Sequence, residues 1–283
     1  MLIQVGSRSD SSAYVRMKRK ACENAAIAFT FVLLPDTVSQ HLLLVEIQKL
    51  NADTNVHGVL VQLPLPTHLD EHMLTQAILP EKDVDGFHEV NIGRLAMKGL
   101  VPMFEPCTPM GIMRLLEEDG IKLEGKNAVV VGRSNIVGMP IAMMMMHKNA
   151  TVTIVHSKSE NIDKIICNAD ILVAAVGLPN FIQAGWIKPG AVVIDVGINS
   201  LTDPSKKAGF RWVGDVDFDN VSLVAGSITP VPGGVGPMTV AMLLQNLITS
   251  ATRFSEASSP KISHLKPDYL FPVPRYRNYD LVI

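Results

Sequence analysis

A tyrosine and a lysine four residues apart are the first side chains in the sequence whose types and spacing could do chemistry. Tyr14 and Lys18 stand in DSSAYVRMKRK, residues 10 to 20, which contains four basic side chains. Ser11 or Ser12 can cap a helix that starts just before Tyr14, and the i, i+4 spacing then puts Tyr14 and Lys18 on one face. A lysine that an aromatic ring partly shields from water suits proton transfer near neutral pH. Spacing alone still favours a plainer interpretation, in which the basic residues form a solvated helix face.

Two further stretches put polar side chains where a ligand could meet them. HGVLVQLPLP predicts a buried strand with Gln62 at its carboxyl end, where α/β sheets place ligand groups. PEKDVDGFHEVNIGR carries Asp83 and Asp85 in a turn closed by a glycine, so the two carboxylates lie on opposite sides of the backbone and one can face inward. Paired acids can bind a metal, but no further ligand follows at a fixed spacing, and we expect no metal site.

The segment VVVGRSNIVGMPIAMMMM predicts a buried strand, a tight glycine turn and a helix. In this layout backbone N–H groups and a helix N-terminus receive a dinucleotide pyrophosphate. The pattern departs from G-x-G-x-x-G, since Gly132 and Gly138 remain but Ser134 replaces the middle glycine and can donate its hydroxyl to phosphate. A turn of this kind can also serve packing alone, so by itself it is a weak indication of nucleotide binding.

The next strand, TVTIVHSKS, indicates which dinucleotide would bind. An NAD-preferring site has an acidic residue about 20 residues after the glycine turn, which accepts from the ribose 2′-OH. Here no acid precedes Glu160, and Ser157, Lys158 and Arg133 could instead meet a 2′-phosphate. The sequence therefore predicts NADP, although Lys158 also fits a merely solvated loop.

A loop of unusual composition, SITPVPGGVGPMT, leads into the last helix. Its prolines and glycines make it rigid and poor in side chains, so that backbone can approach a flat ligand closely. A simple connector needs no such rigidity. We therefore expect this loop to be one wall of a binding site.

The composition excludes several classes of protein. With 47% apolar and 18% charged residues, 283 residues can bury a substantial core, and a formal net charge of −2 gives no reason to expect nucleic acid as a partner. The apolar runs have the length of strands, so no membrane partner is expected. Three cysteines lie far apart in the chain, which argues against a disulfide framework and favours a reducing compartment.

Apolar runs typical of buried strands alternate with helical patterns, which predicts an α/β protein with parallel sheets covered on both faces. We divide it into an N-terminal α/β domain, residues 1–108, and a Rossmann-like doubly wound domain, residues 109–236, with a cleft between them. A helix over 237–254 is expected to pack back on the first domain. Residues 255–283 are rich in serine, proline and aromatic residues without a period, which is typical of a disordered tail.

Together these segments resemble the bifunctional methylenetetrahydrofolate dehydrogenase/cyclohydrolase family. The resemblance runs from about Leu2 to Phe254 and rests on YVRMK, VHGVLVQLPLP, PEKDVDGF, VVVGRSNIVGMP, TVTIVHSKS and ITPVPGGVGPMTVAMLL. It implies oxidation of 5,10-methylenetetrahydrofolate by NADP⁺ and hydrolysis of the methenyl product to 10-formyltetrahydrofolate in one cleft. It also implies a homodimer formed through the nucleotide domain. The expected location is cytoplasmic, or organellar if a targeting segment precedes Met1.

The resemblance also implies a role for each matching residue. Lys18 matches the proton-transfer lysine of the hydrolytic step, Gln62 the residue that hydrogen-bonds this lysine, and Tyr14 a residue that stacks on or orients the folate. Asp85 matches the carboxylate that binds the pterin amino and ring N–H groups. The remaining matches line the folate site (Val61, Leu63, Pro232, Gly233, Gly234, Val235, Gly236) or hold NADP (Gly132, Arg133, Ser134, Ser157, Ile198, Thr239).

The sequence departs from the family pattern at both ends. Members have a leading helix before the first strand, whereas Met1 here falls inside that strand, and the residues after Phe254 do not match. An alternative is therefore an N-terminally truncated, catalytically silent member that acts as a dimerisation partner. A more distant alternative, an NADP dehydrogenase for another small substrate, leaves Asp85 and the proline–glycine loop unexplained.

Overall fold

The first part of the chain folds as three parallel strands with helices. The computed structural model describes residues 1–206 and 209–258. The strand order is β2-β1-β3, with Leu2 of the central strand paired to Phe31 on one side and Leu60 on the other. The elements in chain order are β1 (Leu2–Val5), α1 (Ser9–Asn24), β2 (Phe31–Leu34), α2 (Gln40–Ala52), β3 (Leu60–Val61), α3 (Glu71–Gln76) and α4 (Glu89–Ala96).

Side-chain oxygens cap the helices that follow β2 and β3. Ser39 Oγ accepts a hydrogen bond from the Leu42 amide at 3.3 Å at the start of α2, and Asp70 does the same for Met73 at 2.9 Å in α3. Ile3 and Ile47 are fully buried between the sheet and α2. The capped helices and the apolar strands thus build a core under one face of the small sheet.

The second part of the chain is a doubly wound domain. Its five parallel strands have the order β10-β7-β6-β4-β5, so the chain reverses direction across the sheet beside β4. The elements are α5 (Cys107–Glu118), β4 (Asn127–Val131), α6 (Gly138–His147), β5 (Thr151–Val155), α7 (Ile162–Ile166), β6 (Ile171–Ala174), a 3-10 turn (Ala184–Trp186), β7 (Val192–Asp195), β8 (Asn199–Thr202), β9 (Phe210–Val213), α8 (Phe218–Val221), β10 (Ser227–Ile228) and α9 (Val235–Ser258).

Both faces of this five-stranded sheet are covered. Val130 packs in one apolar cluster with Ile112 and Ile141, whereas its neighbours Val129 and Val131 belong to a second cluster on the other face. This alternation explains why the strands are apolar at almost every position. The predicted α/β fold with parallel sheets is confirmed.

Several elements differ from the expectations. The run around Leu60 forms only two residues of strand, and helix α4, which follows the expected turn at 83–86, was not predicted. An antiparallel hairpin, β8 with β9, follows the last long strand of the domain and was not predicted. Only one of its eight residues is buried, so the two strands lack the buried apolar face by which a strand is recognised.

Helix α9 lies against the first domain as well as against α5. Asn246 Nδ2 donates to the carbonyl oxygens of Val84 at 2.9 Å and Glu105 at 3.0 Å. Ser250 donates to the carbonyl of His57 and, at 3.2 Å, to that of Glu81. The helix extends four residues beyond its expected end at 254. The rest of the expected tail, residues 259–283, lies outside the described residues.

Among the helices that the structure describes, none combines the length and the apolar run that crossing a bilayer would require.

Candidate active site

Helix α1 presents Lys18 to the sheet. The helix begins at Ser9 with Arg8 as its N-cap, and Arg8 makes no side-chain capping bond, so the expected cap by Ser11 or Ser12 is wrong. Both serines lie inside the first turn, and Ser12 Oγ instead accepts from Gln4 Nε2 at 3.1 Å. The earlier start does not change which side chains share a helix face, because that depends only on their spacing in the sequence.

Lys18 is the buried member of the basic run. It is 7% exposed and its Nζ donates to Gln62 Oε1 at 3.1 Å, whereas Arg16, Arg19 and Lys20 are exposed. The other end of the Gln62 amide donates to the Leu63 carbonyl at 2.8 Å. This second bond turns the amide oxygen toward the lysine, so the pair has a fixed geometry.

The two neighbouring acids have different surroundings. Asp83 is 2% exposed and accepts from the His88 amide at 2.8 Å and Asn91 Nδ2 at 3.1 Å, so it is committed to the start of α4. Asp85 is half-buried. Burial raises the pKa of Asp85 to about 6, Lys18 opposes this rise with its positive charge, and Asp83 adds to it. Of the two acids, Asp85 is therefore the one whose charge interacts with that of Lys18.

Sequence reasoning missed two side chains that hold the peptide before Asp85. The Val84 carbonyl accepts from Asn246 of α9 and, at 3.3 Å, from the thiol of Cys107. Burial, and then the negative charge of Asp85, raise the pKa of the Cys107 thiol well above its usual value, so it stays a donor. Neither residue belongs to a motif with a fixed spacing, because both contacts join elements far apart in sequence.

The proline–glycine loop meets helix α1 at Tyr14. A Cβ atom placed on Gly236 would lie 4.0 Å from the Tyr14 hydroxyl oxygen. Gly233 has φ +116°, a conformation that side chains other than glycine's rarely adopt. A Cβ on Gly234 would come within 2.7 Å of the Pro230 carbonyl. The loop therefore depends on its glycines and lies beside Tyr14.

The other residues expected around the folate lie in different places. Leu63 is half-buried and Pro232 is exposed, so both side chains can reach a ligand. Val61 and Val235 are buried in the cores of the first and second domains, respectively. These two valines can contribute backbone to a cleft but not their side chains.

The expected phosphate turn is closely packed. Gly132 has φ +122°, and a Cβ there would overlap the Ala175 carbonyl, while a Cβ on Gly138 would overlap the Gly132 carbonyl. Ser134 Oγ accepts from the amides of Val137 at 3.2 Å and Gly138 at 3.3 Å. Because the oxygen acts as acceptor toward the helix, the hydroxyl proton remains available for a phosphate oxygen.

Three more expected cofactor residues follow parallel strands of the same sheet. Arg133 follows β4, Ser157 follows β5 and Ile198 follows β7, and all three are exposed. Carboxyl ends of parallel strands share one edge, so the three side chains belong to one rim. Thr239 differs, since its hydroxyl contacts Thr108 Oγ1 at 3.0 Å and the Val235 carbonyl at 3.1 Å, at the junction of α9 and α5.

Two fully buried acids at this rim, Asp195 and Asp215, were also missed. Burial raises the pKa of Asp195 to about 6, and backbone N–H donors to its carboxylate oppose the rise. An acid directly after the apolar run VVI was the available signal, since a charged residue that ends a buried strand needs partners there.

Comparison with known proteins agrees with the two-part organisation. A model described as the catalytic domain of tetrahydrofolate dehydrogenase/cyclohydrolase matches residues 1–85, and one described as the NAD(P)-binding domain of the same family matches residues 106–255.

Individual relatives are similar over most of this chain. It is 53% identical over 274 residues to the cytoplasmic C-1-tetrahydrofolate synthase of Schizosaccharomyces pombe, a match over 96% of this chain and 29% of that protein. It is 56% identical over 252 residues to bifunctional protein FolD 2 of Arabidopsis thaliana, over 89% and 84% of the two chains. The structure of Trypanosoma brucei FolD complexed with NADP cofactor and inhibitor is similar with a TM-score of 0.86 and 44% identity, over 90% of this chain and 86% of that one.

Proposed function

The chain belongs to the tetrahydrofolate dehydrogenase/cyclohydrolase family, and on that ground we propose that it oxidises 5,10-methylenetetrahydrofolate with NADP⁺ and hydrolyses the methenyl product to 10-formyltetrahydrofolate. The observation that carries this proposal is the buried Lys18–Gln62 pair in one cleft with Asp85. A catalytically silent member would have no need of a buried lysine held by a single side-chain acceptor, and that alternative is not favoured.

The residues at the sheet rim fit NADP. The turn at Gly132 has no room for a side chain, so the backbone itself can approach a pyrophosphate, and Ser134 retains a hydroxyl proton for it. Arg133 and Ser157 follow adjacent strands and can bind a 2′-phosphate, which an acid in the place of Ser157 would repel. When bound, NADP⁺ supplies the acceptor for the hydride that leaves the methylene carbon.

The folate occupies the cleft between Tyr14 and Asp85. The Asp85 carboxylate accepts from the pterin amino and ring N–H groups, and Tyr14 orients the ring system against the glycine-rich wall at Gly236. Leu63 and Pro232 supply apolar contact. Hydride transfer needs little acid–base help, so the task of these residues is to hold the methylene carbon against the nicotinamide.

Hydrolysis depends on Lys18. Water adds to the methenyl carbon and loses one proton, which leaves a neutral carbinolamine. The carbinolamine hydroxyl then loses its proton as one carbon–nitrogen bond of the bridge breaks, the leaving nitrogen takes up a proton, and the carbon becomes the formyl group, so that one proton is released overall. The Lys18 ammonium or amine is the group that moves these protons, and Gln62 fixes Nζ at 3.1 Å from its amide oxygen. The acceptor of the Lys18 hydrogen bond is a neutral amide and not a carboxylate.

We also propose the division of the chain that carries these roles. Residues 1–108 hold the folate and the hydrolytic pair, and residues 109–236 hold NADP. Helix α9 joins them, because it starts in the loop beside Tyr14 and bonds to the peptide before Asp85 through Asn246. The cleft lies where the two domains meet.

A homodimer through the nucleotide domain is the proposed assembly. Strand β5 lies at the edge of the five-stranded sheet beside β4, and Thr151 and Thr153 on it are exposed. An unpaired strand edge is a ready site for a second copy. Sedimentation equilibrium of the recombinant chain tests this assembly, and a monomer at micromolar concentration would contradict it.

A cytoplasmic location is proposed, as in the name of the Schizosaccharomyces pombe relative. The three cysteines, Cys22, Cys107 and Cys167, are free thiols, which suits a reducing compartment. Because other relatives carry mitochondrial and chloroplastic names, fractionation of the source cells is the deciding measurement.

One assay tests the function as a whole. The recombinant chain is given 5,10-methylenetetrahydrofolate with NADP⁺ or NAD⁺, and the formation and decay of the methenyl product are followed by absorbance. We expect both steps, with NADP⁺ preferred. Absence of either activity in a folded protein would refute the proposal.

A further inference from the structure

Two carboxylates lie buried at the rim where parallel strands end, and no role in binding has been given to them so far. Asp195, the last residue of β7, is 1% exposed, and Asp215, just after β9, is 0% exposed. Burying a charge is costly unless hydrogen bonds compensate for the lost water. The partners of these two side chains therefore indicate what the charges hold in place.

Asp215 binds two loops at once. Its Oδ2 accepts from the amides of Val176 at 2.7 Å and Gly177 at 2.9 Å, in the loop after β6, and its Oδ1 accepts from Asn199 Nδ2 at 2.9 Å, in the segment after β7. The first loop is the one that packs on the phosphate turn, since the Ala175 carbonyl fills the space beside Gly132. Asp215 thus fixes the backbone next to the turn that would receive the pyrophosphate.

Asp195 in turn holds Asp215. Its Oδ1 accepts from the amides of Gly197 at 3.0 Å and Asp215 at 2.8 Å, and its Oδ2 accepts from the amide of Val216 at 3.0 Å. A Cβ on Gly197 would overlap the Asp215 carboxylate, and one on Gly214 would overlap that of Asp195. The two acids and these glycines form one tightly packed unit, which we call the carboxylate clamp, defined as Asp195 and Asp215.

The donors to the carboxylate clamp are backbone amides and one side-chain amide, all neutral. Neutral donors can satisfy a buried charge only when several point at it together, and three point at each of these carboxylates. The loops after β6, β7 and β9 therefore share one fixed arrangement.

The clamp lies on one side of the phosphate turn, and the expected 2′-phosphate residues lie on the other. In the strand order, β5 with Ser157 flanks β4 on one side, and β6 and β7 follow on the opposite side. A dinucleotide that crosses the rim at Gly132 with its adenosine toward β5 must place its nicotinamide toward β6 and β7. Ile198, 38% exposed between the two clamped residues Gly197 and Asn199, offers an apolar surface there.

We propose that Asp215, held by Asp195, is a positioning residue for the nicotinamide half of NADP, acting through the loops that carry Val176, Gly177 and Ile198. The proposal rests on the function given above, and it predicts that the clamp serves the dehydrogenase step and not the hydrolysis at Lys18. The carboxylates of the clamp accept from residues in the loops after β6, β7 and β9, whereas Lys18 and Gln62 belong to the first domain. The bond from the Asp195 amide to Thr229 in the proline–glycine loop does not use the carboxylate.

The substitution Asp215→Asn tests the proposal on the full chain. An asparagine keeps the shape but must turn its NH₂ group toward at least one of the donors, so the loops lose their common arrangement. Loss of a hydrogen bond to a charged group corresponds to a change of about tenfold or more in an equilibrium constant, and we expect rises of that size in the KM for NADP⁺ and in the Kd for NADPH from fluorescence titration. Cyclohydrolase kcat/KM, measured with the methenyl substrate and no NADP⁺, should stay within about twofold of the unmodified chain, because Lys18 is untouched.

The matched control is Asp170→Asn. Asp170 directly precedes β6, so it lies at the amino ends of the parallel strands, away from the rim that carries the clamp. There it accepts from the Asn127 amide at 2.9 Å and from Lys188 Nζ at 2.6 Å. This variant makes the same charge change in the same domain, and its Kd for NADPH should equal that of the unmodified chain. A fall of both activities of Asp215→Asn in equal proportion, or an unchanged Kd for NADPH, would overturn the proposal.

A milder variant covers the case in which Asp215→Asn does not fold. Asn199→Ala removes one of the three donors to Asp215 and leaves the carboxylate in place, so we expect a rise of about threefold to tenfold in the Kd for NADPH. An unchanged Kd would overturn the proposal here as well. If the unmodified chain lacked either activity, the proposed function would fail, but the NADPH titrations would still decide whether the clamp positions the cofactor loops.

Discussion

Lys18 on helix α1 and Gln62 at the end of β3 are joined by a 3.1 Å hydrogen bond from Nζ to Oε1. This bond connects the buried member of a basic helical run to the carboxyl end of a strand in the small sheet. The amide is fixed in turn by its bond to the Leu63 carbonyl. The hydrogen-bond acceptor of Lys18 is therefore neutral and held in one orientation. Four predictions test this arrangement and its neighbours.

The substitution Lys18→Met should abolish the hydrolytic step. Methionine keeps an unbranched chain in the buried position but carries no proton, so we expect the cyclohydrolase rate to fall by at least about 100-fold. Decay of the methenyl absorbance measures it. Lys20→Met is the control, since Lys20 is exposed on the same helix, and it should keep the full rate. An undiminished rate in Lys18→Met would show that this lysine takes no part in the hydrolysis.

The substitution Gln62→Glu should slow hydrolysis while preserving the fold. A carboxylate within about 3 Å of Nζ forms an ion pair that favours the protonated lysine and opposes proton transfer, by roughly tenfold or more in rate. The optimum of the pH–rate profile should move to higher pH. A profile that coincides with that of the unmodified chain would show that Gln62 does not control this proton.

The substitution Asp85→Asn should stabilise the ligand-free protein at neutral pH and weaken folate binding. The folded-state pKa of about 6 lies above the ordinary value, so the native state holds this proton more tightly than the unfolded state, and stability falls as pH rises from about 4 to 6. Since Asp85 is half-buried and faces Lys18, removal of the charge is worth about 1–3 kcal/mol at pH 7.5, and the gain should vanish near pH 4.

Urea unfolding at the two pH values measures the stability of Asp85→Asn, and the KM for the folate measures its function. In the unmodified chain the same carboxylate should bind folate more weakly below a pH of about 6, where it becomes protonated. Equal stability differences at pH 4 and pH 7.5 would contradict the assigned cause.

The substitution Ser157→Asp should shift cofactor preference from NADP⁺ toward NAD⁺. An acid at the carboxyl end of β5 repels the 2′-phosphate and accepts from a free ribose hydroxyl, so we expect the ratio of kcat/KM values to change by about 10–100-fold. Ser222→Asp adds the same charge at an exposed position after α8 and should leave the ratio unchanged. An unaltered ratio in Ser157→Asp would show that the 2′-phosphate does not bind at the end of this strand.

Local chemistry made much of the fold and site predictable. The strands of the nucleotide domain are apolar because both faces are covered, and Gly132 is a glycine because Ala175 leaves no space. The i, i+4 spacing places Lys18 on the face of Tyr14, but only Gln62, Asp85 and the proline–glycine loop together single the lysine out from its neighbours. In these cases the residue pattern of one segment predicts its place in the fold, although the contact that explains the pattern, such as that of Ala175 with Gly132, comes from another segment.

The missed features depend on contacts between distant segments. Helix α4 begins where the Asp83 carboxylate accepts from the His88 amide, a bond that forms only in the folded turn. The clamp of Asp195 and Asp215 joins three loops, and neither acid has a partner near it in sequence except through glycines. Helix α1 starts at Ser9, before the two serines expected to cap it, and Ser12 is bonded to Gln4 of the first strand instead.

Helix α9 has one consequence for substrate selection. Gly236, beside Tyr14, and Asn246, which holds the peptide before Asp85, are ten residues apart on one unbroken helix, so about 15 Å separates them along its axis. A helix does not stretch. It therefore fixes the distance between the glycine wall beside Tyr14 and the peptide before Asp85, and the folate proposed to contact both would have to match a span that no side-chain movement can adjust.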